Sequence, residues 1–486
     1  MARSPSRKPT ARIVRRSRPP DSSRAIFQGI ANMAKYDPTY DPLVSRSPGV
    51  GQEFPPSYWA ASAGTPPPDD GPVTADMDAD VVIIGAGYTG LCTAIFLARE
   101  HGIRAVVLEA NRTGFGCSGR NGGQAQNNTG RLKRSQWIQR WGMETAQAMH
   151  LEVLDGFRTF ESLLRDYNIE CDAQPGGHFL IAHKPAMLAG MEAEVRVMEK
   201  HFDYHSTMID AQTLRSKYVA DAESAGAMHE PDGIGVHPMK LAFGYQRVAR
   251  ELGARIHTAS PVIGWETRDG FHYLKTPGGT VRARSVGIAT GGYTAPDLHP
   301  TVKFRYMPIL SNNSVTRVLT DAEIAACNFQ TREVLTDTRM LRYYYRLLPG
   351  NRLQFGSRSA ITGADAPRAV HQKLLEDGIA RKFPVLAGIP LEYSWWGWVD
   401  VSHDMMPRIH QPDPRQQVFY AFGYGGNGVS YSAQAGRRMA EQIAGRAANQ
   451  KLPIFTSQLP THPFRPFRRL GQRMLYHWWA YRDEQR

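Results

Sequence analysis

The chain is 486 residues long, more than one ordinary hydrophobic core organises, so the expectation is two domains or one domain with a large insertion. Hydrophobic residues at 42% and charged residues at 21% exclude a mainly disordered or fibrous chain. The net charge of +13 gathers at the ends, +7 in residues 1–32 and +4 in residues 465–486, and the +2 left to the body gives no reason to expect a nucleic-acid partner.

Residues 1–32 are rich in Arg and Ser, hold one acid, Asp21, and lack the apolar run of a secretory signal. A transit peptide, a nucleic-acid-binding arm, a floppy tail, and an over-long start whose true beginning is Met33 all stay open. Proline-rich residues 36–71 read as an extended lead-in, so residues 1–77 are expected to be disordered or extended, with order beginning near Asp78. Residues 81–84 then form an all-apolar strand, 91–100 a helix closed by Gly102, and 105–108 a second strand, which is a βαβ unit. The uncharged run 81–98 has about the length of a membrane span. Its glycines fall where a strand must turn into a helix, and it reads as core; no transmembrane segment is expected.

Beyond a Gly-rich loop at 114–130, helical periodicity covers 135–167 and 184–201, and 238–253 is a helix. Strands are expected at 177–182, 254–257, 281–289 and 418–422, a strand-rich stretch at 307–355, and a helix at 432–444. This order predicts an α/β, two-domain chain in which a Rossmann-like nucleotide-binding domain is interleaved with an antiparallel-sheet substrate domain. Residues 78–170, 222–300 and 395–450 are assigned to the first, 171–221 and 301–394 to the second. Residues 451–486, with Trp478 and Trp479, form a basic aromatic tail suited to docking on a subunit or on a membrane surface.

Gly85-x-Gly87-x-x-Gly90 follows a strand and opens a helix, and each glycine has a steric reason: a tight turn, close approach to a pyrophosphate, and close packing of helix on strand. Tyr88 and Thr89 lie at the helix start, where free N–H groups face the phosphates. Glu109, 19 residues beyond Gly90 at the end of the second strand, can accept bonds from ribose hydroxyls, and Ala110 follows it. Three further segments select FAD over a nicotinamide cofactor. The loop 114–124 is dense in glycine and small donors where a long cofactor continues, Thr290 and Gly291 end a strand, and GYGGNG at 423–428 joins a strand to a helix. No Gly-Lys dipeptide occurs, which disfavours P-loop phosphoryl transfer. The cysteines, Cys92, Cys117, Cys171 and Cys327, have no CxxC spacing; a reducing compartment such as the cytoplasm fits, and no metal site is expected.

GAGYTG, SGRNGGQ, ATGGY and GYGGNGVxxxxxAG together resemble the D-amino-acid, glycine and sarcosine oxidase superfamily. SYWAASAG at 57–64, PGG at 175–177, VHP at 236–238, YYRL at 344–347 and LPTHPF at 459–464 are most similar to its γ-glutamylputrescine oxidoreductases. The resemblance implies oxidation of a C–N bond with FAD. It places Ser118, Gly119, Arg120, Asn121, Gly122, Gly123 and Gln124 beneath the flavin, Val262 at adenine, and Gly425, Asn427, Gly428 and Val429 at the flavin pyrimidine. Residues 337–347 lack the cysteine, and 114–124 the histidine, through which some relatives attach the cofactor, so FAD is expected to be non-covalent. Ser430 stands where sarcosine oxidases place a carboxylate-gripping lysine, which tilts the expected substrate from a small α-amino acid toward a polyamine derivative such as γ-glutamylputrescine.

The reaction so implied takes the amine to an imine, hydrolysed to aldehyde and ammonia, with O2 or another acceptor receiving the electrons. A D-amino-acid, glycine or sarcosine type oxidase is the alternative, and a flavoprotein gripping RNA through its basic arms is a third reading. Candidate catalytic residues are His237, Tyr345, Arg346, His403 and Asn427. Strand alternation lets either Tyr345, or Tyr344 with Arg346, face the substrate. Trp395, Trp396 and Trp398 read as core or as an aromatic wall, and Cys117 as a small space-filler.

Overall fold

The computed structural model describes residues 1, 35–45, 50–447, 451–462 and 465–485, and the readings made for residues 2–32 lie outside the described residues. The strand Met77–Ile84 alternates while exposed and becomes continuously buried from Val81 to Ile84, where both sheet faces are covered. It pairs in parallel with Gly279–Ile288 on one side and Val106–Leu108 on the other. Arg255–His257 extends the row past Val106–Leu108, and Val418–Phe422 joins Gly279–Ile288, both in parallel. Gly264–Arg268 and Phe271–Thr276 form an antiparallel meander with Gly279–Ile288, and Arg408–His410 completes an eight-stranded sheet. Against it pack the helices Tyr88–His101, Pro238–Glu251 and Tyr431–Ile443, sharing a core that includes Leu91, Phe96, Phe160, Leu241 and Ala433.

A second eight-stranded sheet runs in the order Leu391–Val401, Met307–Val318, Arg352–Ser357, Tyr344–Leu348, Val334–Asp337, His178–Ala182, Gly226–Glu230, Thr207–Asp210. Its pairs are antiparallel except Val334–Asp337 with His178–Ala182. A small sheet of Gln124–Gln126, Gly233–Gly235 and Gln174–Pro175 abuts it, Gln124 Nε2 donating to the carbonyls of Leu335 (3.3 Å) and Tyr345 (3.4 Å). The α/β class with an interleaved, mainly antiparallel second sheet is what the element order indicates.

Several local expectations need correction. Gly226–Glu230 and Leu391–Val401 belong to the second sheet, although residues 222–300 and 395–450 were assigned to the nucleotide-binding part. The helical stretch 135–167 is two helices, Arg134–Trp141 and Met143–Asp166. Gly142, at φ +79°, donates to the Ile138 carbonyl at 2.9 Å and turns the chain between them. Order also begins before Asp78. Trp59, on the short helix Tyr58–Ser62, is buried and donates from Nε1 to the Asn121 carbonyl at 2.9 Å, while Tyr40 stacks on Tyr293 at 5.9 Å. Among the described residues no helix is long and apolar enough to cross a membrane, and no His/Cys/Asp/Glu cluster suits a metal.

Candidate active site

One long cavity runs from the βαβ turn to the second sheet. At the turn, sterics require glycine at position 90, where a Cβ would stand 1.9 Å from the Gly85 carbonyl oxygen, while one on Gly87 would stand 2.9 Å from Ser118 Oγ and displace that hydroxyl. Gly85 holds φ +107° against the Ala289 carbonyl. The helix Tyr88–His101 has Gly87 as its N-cap and no side-chain cap, so the positive end of its dipole is presented to the cavity lined by Gly85, Gly87, Tyr88 and Thr89. Glu109 accepts from the Ala86 N–H at 2.8 Å and the Asn111 N–H at 2.9 Å. Burial pushes its carboxyl up and these N–H groups pull it back. Each oxygen keeps a lone pair for a ribose hydroxyl. Ala110 and Val262 complete this end.

Toward the second sheet, Ser118, Arg120, Asn121, Gly122 and Gln124 line the wall. Ser118 Oγ accepts from the Tyr88 N–H at 3.0 Å, and Asn121 ties its own turn by donating to the Cys117 and Ser118 carbonyls and accepting from the Gly123 N–H at 2.8 Å. The Arg120 guanidinium lies over the Phe115 ring at 4.5 Å and the Tyr293 ring at 5.2 Å, which fixes it without a carboxylate. Burial pushes the Cys117 thiol up to about 12, so it stays neutral. Thr290, Gly291, Asn427, Gly428 and Val429 also line the cavity. Gly90, Gly119, Gly123 and Gly425 stand outside the lining and act through packing; a Cβ on Gly123, for example, would meet the Val236 carbonyl at 2.0 Å. A bare helix N-terminus, a lone-paired acid beyond it and a glycine-lined continuation fit FAD along its length.

The far end holds residues that no sequence motif singles out. Arg131, Arg342 and Arg358 all line the cavity, and among the described residues none is within ion-pair distance of a carboxylate. Arg131 donates to the Gly425 carbonyl at 3.3 Å. The neighbouring Arg358 charge, then burial and Arg342, hold the Arg131 guanidinium well below its usual range; burial, then Arg358, lowers Arg342. Asp400, also in the wall, accepts from the Gly423 N–H at 2.5 Å, and burial raises its carboxyl to about 6. Arg342 and Arg358 flank one hairpin, in which Tyr344 pairs with Gly356, and only the tertiary fold brings Arg131 to them; the three carry no shared motif.

Of the catalytic candidates, Asn427 lines the cavity, donating to the Gly130 carbonyl at 2.5 Å. The other four stand outside the lining. His237 caps the helix Pro238–Glu251, accepting from the Lys240 N–H, with Nε2 3.1 Å from Ser62 Oγ, and burial lowers it to about 4. Tyr345 points to the opposite face of its strand and bonds Asp221. Arg346 donates to Gln174 Oε1 and the Val236 carbonyl, clamping the small sheet. His403 is exposed beside His462. Alternation instead turns Tyr344 into the cavity, its ring against Gly122 and Gly356 and its hydroxyl 2.7 Å from Ser311 Oγ. In the tryptophan-rich strand, Gly397 and Val399 face the cavity, while Trp395 donates to the Arg120 carbonyl at 2.8 Å from outside the lining. Ser430 Oγ donates to the Gln126 carbonyl at 2.6 Å.

Residues 80–442 match the family described as FAD dependent oxidoreductase. The γ-glutamylputrescine oxidoreductase of Escherichia coli (strain K12) is 32% identical over 84% of this chain and 92% of its own. A probable oxidoreductase, OrdL, of Haemophilus influenzae is 30% identical over 79% and 86%. Among solved structures, glycine oxidase from Geobacillus kaustophilus superposes with a TM-score of 0.66 at 20% identity, over 79% of this chain and 99% of that one, and shares the fold. The chain therefore belongs to the FAD-dependent oxidoreductase family and is an FAD enzyme.

Proposed function

We propose that the chain oxidises the C–N bond of an amine that carries a carboxylate some distance from the reacting carbon, with γ-glutamylputrescine as the reference substrate. The observation that carries this reading is the group of three unpaired arginines in the cavity wall. Three partly buried guanidinium groups that repel one another are costly, and an anionic group on the ligand offsets that cost with charge-assisted, bidentate bonds. Ser430 is not needed as an anchor if the arginines hold the carboxylate.

When bound, FAD supplies the two-electron acceptor for the hydride leaving the amine-bearing carbon. The chain's own residues have three tasks. Arg131, Arg342 and Arg358 hold the substrate's anionic end and so aim its amine toward the segment 425–429. Tyr344, seated on Gly122 and Gly356, narrows the cavity and displaces water. Asp400 shapes the glycine turn by accepting the Gly423 N–H, while its own backbone carbonyl takes the Gly425 N–H at 3.0 Å. The imine product, RCH=NH, adds water to give aldehyde and ammonia, and dioxygen or another acceptor takes the two electrons. The free cysteines suit a reducing compartment such as the cytoplasm.

The same arginines suit an α-carboxylate, so oxidation of glycine, sarcosine or a D-amino acid is the second reading. One panel separates the two. Under anaerobic conditions the flavin's visible absorbance should bleach with γ-glutamylputrescine, weakly with putrescine, which lacks the carboxylate, and weakly with glycine, sarcosine and D-alanine. Strong bleaching with the amino acids alone would favour the second reading. Unchanged absorbance across the panel would sink both.

A further inference from the structure

The helix Arg468–Glu484 lies on the protein with its polar side inward, the reverse of an ordinary surface helix. Gln472, Tyr476 and Asp483 are its buried residues. Asp483 accepts the N–H groups of Met340 at 3.0 Å and Leu341 at 3.1 Å, and Arg469 pairs with Asp41 at 2.9 Å. Lys184 Nζ donates to the Arg482 and Gln485 carbonyls, both at 2.7 Å, and Glu484 pairs with Arg381 at 3.0 Å. Polar contacts thus clamp the helix, and its apolar side faces away from the body.

That outer side is a continuous stripe. Leu470, Met474, Trp478 and Tyr481, spaced four, four and three residues apart, are 56%, 66%, 53% and 59% exposed, with Phe467 ahead of them and Leu475 beside them also exposed. At helical spacing Arg473 and His477 flank one edge and Arg482 the other; all three are exposed, and neither arginine pairs with a carboxylate among the described residues. An exposed apolar stripe of this extent marks a surface that is covered in use.

We propose that this helix is an interfacial anchor that lays its apolar stripe into an anionic lipid surface. Charge selects lipid over a second copy of the chain: two such stripes face to face would bring the arginine rims of both copies together, whereas acidic headgroups complement them. Trp478 and Tyr481 have an apolar body and a polar tip, the form that settles at headgroup depth. The 17-residue helix lies along the surface and does not cross it.

The test is flotation of the FAD-loaded full chain with phosphatidylcholine vesicles, with and without one-quarter phosphatidylglycerol. Binding to the anionic vesicles should exceed that to neutral ones roughly tenfold at low salt, and fall by a similar factor in high salt. The fourfold variant L470Q/M474Q/W478Q/Y481Q should lose it while keeping flavin content and amine turnover. R473A/R482A, which leaves the stripe intact, should weaken anionic binding alone and serves if the fourfold variant folds poorly. Vesicle binding that survives in both variants would assign it elsewhere, for instance to residues 1–32, and overturn the proposal. So would a wild-type chain that ignores anionic vesicles, or one that sediments as a dimer which the fourfold variant converts to monomer.

Discussion

Gly90 has no space for any side chain, since a Cβ there would stand 1.9 Å from the Gly85 carbonyl oxygen and 3.3 Å from Ile83 Cγ2. Gly90→Ala must therefore push the helix Tyr88–His101 off its strand, at about 1–3 kcal/mol or more. Purified G90A should carry at most about a tenth of the wild-type flavin per polypeptide; a normal ratio would contradict the packing role. Asp400 poses a different residue-scale question. Its carboxyl sits at about 6 in the fold, above the ordinary value near 4, so the fold favours the protonated form. That stabilising share is complete below about pH 4 and lost as pH rises through about 6. Asp400→Asn keeps an oxygen for the Gly423 N–H and removes the charge. Its unfolding free energy in urea, relative to wild type, should rise by about 1–3 kcal/mol between about pH 4 and pH 8, and a flat difference would show that burial is not what shifts the group. At this scale the fingerprint glycines and Glu109 were legible because their reasons are local, a turn, a helix start and a strand end within one stretch of chain. Arg131, Arg342 and Arg358 were not, because nothing in their sequence neighbourhoods distinguishes them from surface arginines.

The strand Tyr344–Leu348 shows what an element reveals from sequence and what it withholds. Alternation established that Tyr344 and Tyr345 face opposite ways, but the side on which the cavity lies depends on the sheet's partners. Tyr345 instead joins a buried group in which Lys382 meets Asp221 at 2.9 Å and Asp337 at 3.6 Å. Burial alone would raise the Asp337 carboxyl, yet Lys382 and Arg339 hold it below its usual value. The same loop that begins at Asp337 carries Arg342 to the cavity, and it is pinned from outside by Asp483 on the C-terminal helix. Asp483→Ala frees the Met340 and Leu341 N–H groups, loosening the base of Arg342 without touching the cavity. For the proposed substrate, γ-glutamylputrescine, we expect KM to rise about three- to tenfold, a loss of roughly 1 kcal/mol of binding, with kcat within about twofold. A fall in kcat at constant KM would place the effect in the chemical step and not in substrate holding. The sequence marked this helix only as a basic aromatic tail, since its inward polar side reverses the pattern by which surface helices are read.

At the scale of the molecule, alternating strands and helices announced an α/β fold, but a strand's sequence does not say which of two sheets it joins. Gly226–Glu230 and Leu391–Val401 went to the second sheet for that reason. Both sheets wall the cavity, Glu109 and Val262 from the side of the first and Tyr344 and Gly397 from the second, so a ligand along it ties the two halves together. Among the described residues that wall holds no histidine and one cysteine, Cys117, whose thiol burial holds at about 12, far from the thiolate that attack on the cofactor requires. Unfolding the holoenzyme in urea should therefore send all of the FAD through a size-exclusion filter and leave a colourless polypeptide. Returned to native buffer with FAD at a hundredfold excess over Kd, the chain should unfold with about 2.7 kcal/mol more stability than without it, because the ligand binds only the state in which the two sheets face each other. Colour retained on the unfolded chain would refute non-covalent binding, and a midpoint insensitive to added FAD would refute the bridge between the halves.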